Sequence, residues 1–115
     1  MNDAELLNLY VERHDHEAFR ELVERHAGMV FGVGLRRSGN TEIAEEATQT
    51  VFIQLARKAA TLKHPERLAG WLHRSVVLET AHLLQDAARA GRKGTVGGVV
   101  GNGVDRRMEP LDPSH

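Results

Sequence analysis

Apolar residues recur at spacings of three and four through the first ninety residues, and no stretch alternates with the period of two that is typical of strands. Such spacing collects apolar side chains on one side of an α-helix. The sequence therefore predicts an all-α fold, a compact bundle of about four helices over residues 1–90, followed by a flexible tail over residues 91–115.

The first helix is expected to begin at Asn2 or Asp3, because Asn2 can cap it and Glu5 can reach back to the cap. Asp15 is expected to cap the second helix. The buried side of the first helix is predicted from the i,i+4 pairs Leu6 with Tyr10 and Leu7 with Val11.

A long apolar face predicts the second helix, which the run Ser38-Gly39-Asn40 is expected to end. Three glycines, Gly28, Gly32 and Gly34, are expected to mark close approach to another helix. His26 lies on the apolar face, so we expect it to be buried or half-buried and bonded to the backbone or to a neighbour rather than to a metal. The face consists of Phe19, Leu22, Val23, His26, Ala27, Val30, Phe31, Gly34 and Leu35.

Two further helices follow, the third opening at Asn40 or Thr41 and the fourth near Pro65, which suits a first helical turn. The third is expected to bury Ala44, Ala47, Val51, Leu55, Ala59 and Leu62. The fourth is expected to bury Leu68, Leu72, Val76, Thr80, Leu83 and Ala87. A second stripe of the fourth helix contains Arg67, Trp71, Arg74, Leu78, His82, Gln85 and Arg89.

The composition changes after Ala90, where six glycines fall within thirteen residues and two prolines follow. A segment of this kind buries too little apolar surface to offset the entropy of ordering its backbone. We therefore expect a helical domain over residues 1–90 and a tail over residues 91–115.

Composition excludes several functional classes. The chain has no cysteine, no run of about 18 apolar residues and an acidic N-terminus, which together predict a soluble cytoplasmic protein without disulfides. The motifs of phosphate loops, zinc hydrolases and nucleophile elbows are absent, so no enzyme activity and no cofactor are expected. His14 and His16 are two residues apart and diverge on a helix, so no metal site is expected.

Charge is unevenly distributed along the chain. Residues 57–93 contain eight basic and three acidic residues, a net charge of +5. Such asymmetry favours a polyanionic partner. The alternative is an ordinary solvated helix face, and charge alone does not separate the two.

Four segments, in this order and spacing, resemble extracytoplasmic-function (ECF) sigma factors of bacterial RNA polymerase, in the part called region 2. They are residues 3–7 (DAELL), residues 18–26 (AFRELVERH), residues 44–52 (AEEATQTVF) and residues 68–74 (LAGWLHR). The resemblance covers about residues 3–90. Complete family members also carry a C-terminal helix-turn-helix domain for the −35 element, and nothing after Ala90 matches one.

The resemblance implies that the third helix docks on the clamp helices of the largest subunit of core RNA polymerase. Judged from the residues alone, the preferred interpretation is an ordinary exposed helix whose Glu45 and Glu46 complement the helix dipole. The positions that match the family's docking motif are Glu45, Glu46, Gln49, Thr50 and Ile53.

The resemblance also implies that the fourth helix binds the −10 promoter element and helps to melt it. For Trp71 the alternative is core packing against the third helix. At three positions where family members carry polar or charged residues, this chain has Leu78, His82 and Gln85, which argues for weak DNA binding. The residues expected to contact DNA are Lys63, Arg67, Trp71, Arg74, Arg89, Arg92 and Lys93.

Three functions remain open at this point. The first is transcription initiation, with core RNA polymerase, promoter DNA and an anti-sigma factor as partners and no membrane. The second is a truncated module that binds polymerase or a regulator without promoter function. The third is a generic helical bundle that mediates protein association.

Overall fold

The computed structural model describes the backbone of residues 1–93 and the side chains of residues 1–90. Within that part the chain forms four α-helices and no strand, which confirms the predicted all-α class. Two 3₁₀ turns, Ala59–Thr61 and Pro65–Arg67, connect the third helix to the fourth. The helices are α1 (Asp3–Arg13), α2 (His16–Ser38), α3 (Thr41–Lys58) and α4 (Leu68–Lys93).

The beginning of α1 is fixed by a capping box, as the sequence predicts. The side-chain oxygen of Asn2 accepts a hydrogen bond from the backbone N–H of Glu5 at 2.8 Å. The carboxylate of Glu5 accepts one from the backbone N–H of Asn2 at 2.9 Å. Two N–H groups that the helix itself leaves unpaired are thereby satisfied.

The α2–α3 corner is built by one glycine and one asparagine. Gly39 ends α2 with φ of 65°, a left-handed conformation that glycine adopts without a steric penalty. Asn40 then caps α3 by accepting a hydrogen bond from the backbone N–H of Ile43 at 3.1 Å. Asp15 caps α2 in the same way, through the N–H groups of Glu17 and Ala18. These predicted caps are confirmed.

The chain divides into two units, residues 1–81 and residues 82–115, and α4 contributes residues to both. In the first unit α2 packs against α1 and α3, and α1 also contacts both 3₁₀ turns. The buried side chains of this unit include Leu6, Leu7, Leu22, Val30, Val33, Ala44, Ala47, Val51, Phe52, Leu55, Leu68, Leu72 and Val76.

The predicted stripes are largely confirmed, with two errors at their ends. Leu35 is exposed, whereas Val33, which was not predicted, is buried. Each residue turns an α-helix by roughly 100°, so Leu35 lies about 200° around the axis from Val33. On α4, Leu83 is buried as predicted but Ala87 is exposed.

Of the three glycines expected to allow close helix approach, only Gly34 does so. A Cβ at Gly34 would lie 3.3 Å from the Cα of Ala44 on α3 and 3.6 Å from Oγ1 of Thr80 on α4. Nothing lies within 4 Å of the same position at Gly28, and at Gly32 only the flexible Arg36 side chain is met. The prediction is wrong for Gly28 and Gly32, since both face away from the neighbouring helices.

Helix α4 runs three residues past Ala90, to Lys93. Residues 94–115, which make up most of the predicted tail, lie outside the described residues. The division of the chain into a helical domain and a flexible tail therefore stays a prediction.

Candidate functional site

One side of α3 carries a row of exposed side chains of three kinds, a carboxylate, an amide and an aliphatic group. Glu45, Gln49 and Ile53 are four residues apart and lie on one helix face, here named the α3 outer row. All three are exposed, and Ile53 retains 53% of its accessible surface. The opposite side of α3 is buried, which fixes the direction of the row.

Glu46 and Thr50, the other two residues predicted to bind polymerase, differ from the α3 outer row. Both are half-buried beside it. The expectation that Glu46 points outward like Glu45 therefore holds only in part. By contrast, Glu45 forms no ion pair with any residue that the structure describes. Its carboxylate can still pair with a cation on a partner.

The connection between α3 and α4, together with the start of α4, carries exposed cations. Lys63, Arg67 and Arg74 are exposed, and none of them is in an ion pair within residues 1–90. The guanidinium of Arg74 lies over Gly70, where a Cβ would be 3.5 Å from its Nη1. The absence of a side chain at Gly70 leaves room for that guanidinium on the helix surface.

Glu66 is the exposed carboxylate nearest to these cations. Its own backbone N–H, followed by the side chain of His64, lowers its pKa from the ordinary value, and Arg67 acts in the same direction. The Nδ1 atom of His64 lies 3.3 Å from its Oε2. The second acidic residue of this segment, Glu79, is only 5% exposed. The outward face of α4 from Leu68 to Ala81 therefore carries no exposed carboxylate.

The position of Trp71 is intermediate between the two alternatives considered for it, core packing and contact with DNA. Its side chain is half-buried, whereas Leu68 and Leu72 beside it are fully buried. Part of the indole thus stabilises the first unit and part remains accessible.

In the second unit, the predicted DNA contacts are less available. Arg89 lies with its Nη1 3.9 Å from Oδ1 of Asp86, so its charge is partly compensated. His82 and Gln85 are exposed. The side chains of Arg92 and Lys93 lie outside the described residues.

Sequence reasoning left two cations unassigned. Arg57 is exposed and Lys58 is half-buried, at the C-terminal end of α3 just before the connection to α4. Neither is in an ion pair in the described part of the chain. Both residues are included in the net charge of +5 over residues 57–93. The DNA-binding residues predicted from the family resemblance, however, begin only at Lys63.

Two other features are absent from residues 1–93. No group of three or more histidine or acidic side chains there is arranged to hold a metal ion. None of the described helices combines the length and the apolar character that crossing a membrane requires.

Comparison with known proteins identifies the family. The model of the Sigma-70 region 2 family matches residues 22–90, which is more than half of the chain. The ECF RNA polymerase sigma factor SigE of Mycolicibacterium smegmatis is 39% identical over 72 residues, or 63% of this chain. The matched part is 26% of SigE, so the chain spans about a quarter of that relative. No solved structure gives a significant match. The chain belongs to the Sigma-70 region 2 family, and its resemblance to ECF sigma factors is confirmed.

Proposed function

We propose that this chain acts in transcription initiation by binding core RNA polymerase through α3 and the −10 promoter element through α4. The observation that carries the proposal is the α3 outer row, which is exposed along two turns while the other side of the helix is buried. Such a row is available for a partner without any unfolding of the first unit.

The chemistry of the α3 outer row suits a basic helical partner, such as the clamp helices of the largest polymerase subunit. The carboxylate of Glu45 can accept charge-assisted hydrogen bonds from arginine, and Gln49 can both donate and accept. Ile53 supplies an apolar contact beside them. Electrostatic complementarity of this kind fixes the register of two helices more than it raises their affinity.

Promoter melting by α4 needs no covalent chemistry. It needs cations that hold phosphates and a surface that stabilises unpaired bases over stacked ones. Lys63, Arg67 and Arg74 supply exposed cations, and the accessible part of Trp71 offers a stacking surface. Arg57 adds an exposed cation at the C-terminal end of α3.

The similarity to SigE, an ECF RNA polymerase sigma factor, supports the same assignment. A protein with this function works in the bacterial cytoplasm, where polymerase and promoter DNA are located, and needs neither enzyme activity nor a cofactor of its own. An anti-sigma factor would act by covering one of the two surfaces.

A polymerase-binding module without promoter function is the second candidate. It is favoured by the ion pair of Arg89 with Asp86 and by the apolar Leu78 on the proposed DNA face. Both features reduce the hydrogen bonds that α4 can offer to bases.

The two candidates are separated by capture of a fluorescent single-stranded oligonucleotide that carries the non-template −10 strand. We expect core polymerase with this chain to raise the anisotropy of the oligonucleotide, and core polymerase alone to leave it unchanged. A scrambled oligonucleotide of the same composition is the control. If the chain binds polymerase yet captures neither oligonucleotide, the second candidate is correct. If it does not bind polymerase, both are wrong.

A further inference from the structure

We propose that Leu78 contacts the 5-methyl group of an unpaired thymine and thereby gives the DNA surface of α4 a preference for thymine. The inference rests on the proposed function, since it names the base chemistry that the same surface selects. This contact is apolar and therefore needs no hydrogen bond between α4 and a base.

Leu78 is unusually exposed for its type. It retains 61% of its accessible surface, and among the large hydrophobic residues that the structure describes only Met1 is more exposed. Single exposed leucines are common on protein surfaces. Exposure alone therefore says little, and the surroundings of Leu78 decide the interpretation.

Those surroundings are cationic. Arg74 precedes Leu78 by one helical turn, so these two residues lie on one face of α4, and Arg67 ends the 3₁₀ turn that immediately precedes the helix. Gly70, one turn before Arg74, has no side chain, and the guanidinium of Arg74 lies over it. Because this face has no exposed carboxylate, it attracts a polyanion rather than a basic partner.

Leucine selects among bases by apolar contact, since its side chain neither donates nor accepts hydrogen bonds. Of the four DNA bases only thymine presents an aliphatic group, its 5-methyl. Removing one such group from water against Leu78 corresponds to an affinity gain of roughly four-fold. The guanidinium groups of Arg67 and Arg74 would meanwhile hold the neighbouring phosphates.

The test compares two single-stranded oligonucleotides that differ only in carrying thymine or deoxyuridine at every thymine position. We expect the full chain to bind the thymine form about four-fold more tightly. In Leu78→Ala this ratio should fall to about one, since the methyl group then has no partner. The matched control is Ile53→Ala, which truncates a similarly exposed aliphatic residue of α3 and should keep the ratio.

Arg74→Ala separates the failure of this inference from the failure of the proposed function. It should weaken binding of both oligonucleotides equally and reduce the dependence of affinity on salt. If Arg74→Ala changes neither, α4 is not the DNA surface. If it behaves as expected but Leu78→Ala keeps the thymine preference, the inference about Leu78 is wrong. Loss of polymerase binding in Leu78→Ala, with the preference intact, would assign Leu78 to a protein contact instead. Circular dichroism verifies that each variant stays helical.

Discussion

At the scale of single residues, two glycines of α2 have opposite surroundings although the sequence makes them look alike. Gly34 faces the Cα of Ala44 at a distance that leaves no ordinary room for a side chain, whereas Gly28 faces open space. Alanine is preferred to glycine inside a helix by about 1 kcal/mol. At Gly34 that preference competes with displacement of the α3 backbone.

We predict that Gly28→Ala raises the free energy of unfolding by about 1 kcal/mol. Gly34→Ala should lower it by roughly 1 kcal/mol, because two helix backbones must separate. Urea denaturation of both variants, followed by circular dichroism, measures the two changes. Equal stabilisation by both substitutions would show that α2 and α3 are not in close contact at this point.

Glu66, the acidic residue of the α3–α4 connection, gives a prediction about pH. Its own backbone N–H and the side chain of His64 lower the pKa of Glu66 in the folded chain. A group with a lowered folded pKa stabilises the fold above its unfolded pKa, and this contribution is lost as the pH falls through the folded pKa. Because Glu66 is fully exposed, the stability effect should be slight and the pKa itself is the better observable.

We therefore predict that His64→Ala raises the pKa of Glu66 toward its ordinary value, while the backbone contribution keeps it below that value. An NMR titration of the Glu66 side chain measures this shift. An unchanged pKa of Glu66 would mean that the His64 contact does not persist in solution.

At the scale of elements, α1 is joined to α2 by one carboxylate with two partners. The Oδ2 atom of Asp3 lies 2.8 Å from Nε2 of His26, and its Oδ1 lies 3.1 Å from Nη1 of Arg25. Arg25 also pairs with Glu21 at 2.9 Å. Since the side chain of His26 is only 11% exposed, its partner matters to the packing of the two helices.

We predict that Asp3→Ala lowers the free energy of unfolding by about 1–2 kcal/mol, because it leaves a half-buried imidazole and a guanidinium without their shared acceptor. The matched control is Glu12→Ala, which removes an exposed carboxylate of α1 that forms no ion pair with the described residues and should change stability by less than about 0.5 kcal/mol. Denaturant melts of the two variants measure the difference. Equal effects would show that the Asp3 network contributes nothing specific.

Features set by neighbours in the sequence could be predicted, and features set by distant residues could not. The caps at Asn2, Asp15 and Asn40 follow from side chains two or three residues away, and all three are present. His26 was expected to bond to the backbone or to a neighbour, but its partner Asp3 was not identified, because Asp3 is 23 residues away. Burial of Glu79 contradicts the usual behaviour of glutamate and depends on tertiary packing.

For the candidate site, too, the sequence predicted some features and missed others. The residues of the α3 outer row were identified from a motif, and the helical period alone then fixes their common face. The pairing of Arg89 with Asp86 was not foreseen, because a charge pattern does not show which cations are already compensated. The half-buried position of Trp71 also depends on tertiary contacts, which the periodicity of a single helix does not show.

At the scale of the whole molecule, charge separates the two proposed binding surfaces of the first unit. The α3 outer row is acidic and amide-bearing, whereas the outward face of the following helix is cationic. A chain with nearly neutral net charge can therefore approach a basic protein surface and a nucleic acid at once. Of these two contacts, the one between α3 and polymerase is the more important for the proposed function.

The most direct test is the dissociation constant of the chain for core RNA polymerase, measured for Glu45→Lys/Gln49→Lys against a charge-matched control. The control, Glu24→Lys/Asn8→Lys, makes the same charge change at exposed positions of α2 and α1. We predict a loss of affinity of roughly a hundred-fold for the first variant, since two cations would then face a basic helix. The control should bind within about two-fold of the unaltered chain, as expected for surface changes outside an interface. Equal affinity of both variants would contradict the assignment of α3 as the polymerase-binding helix.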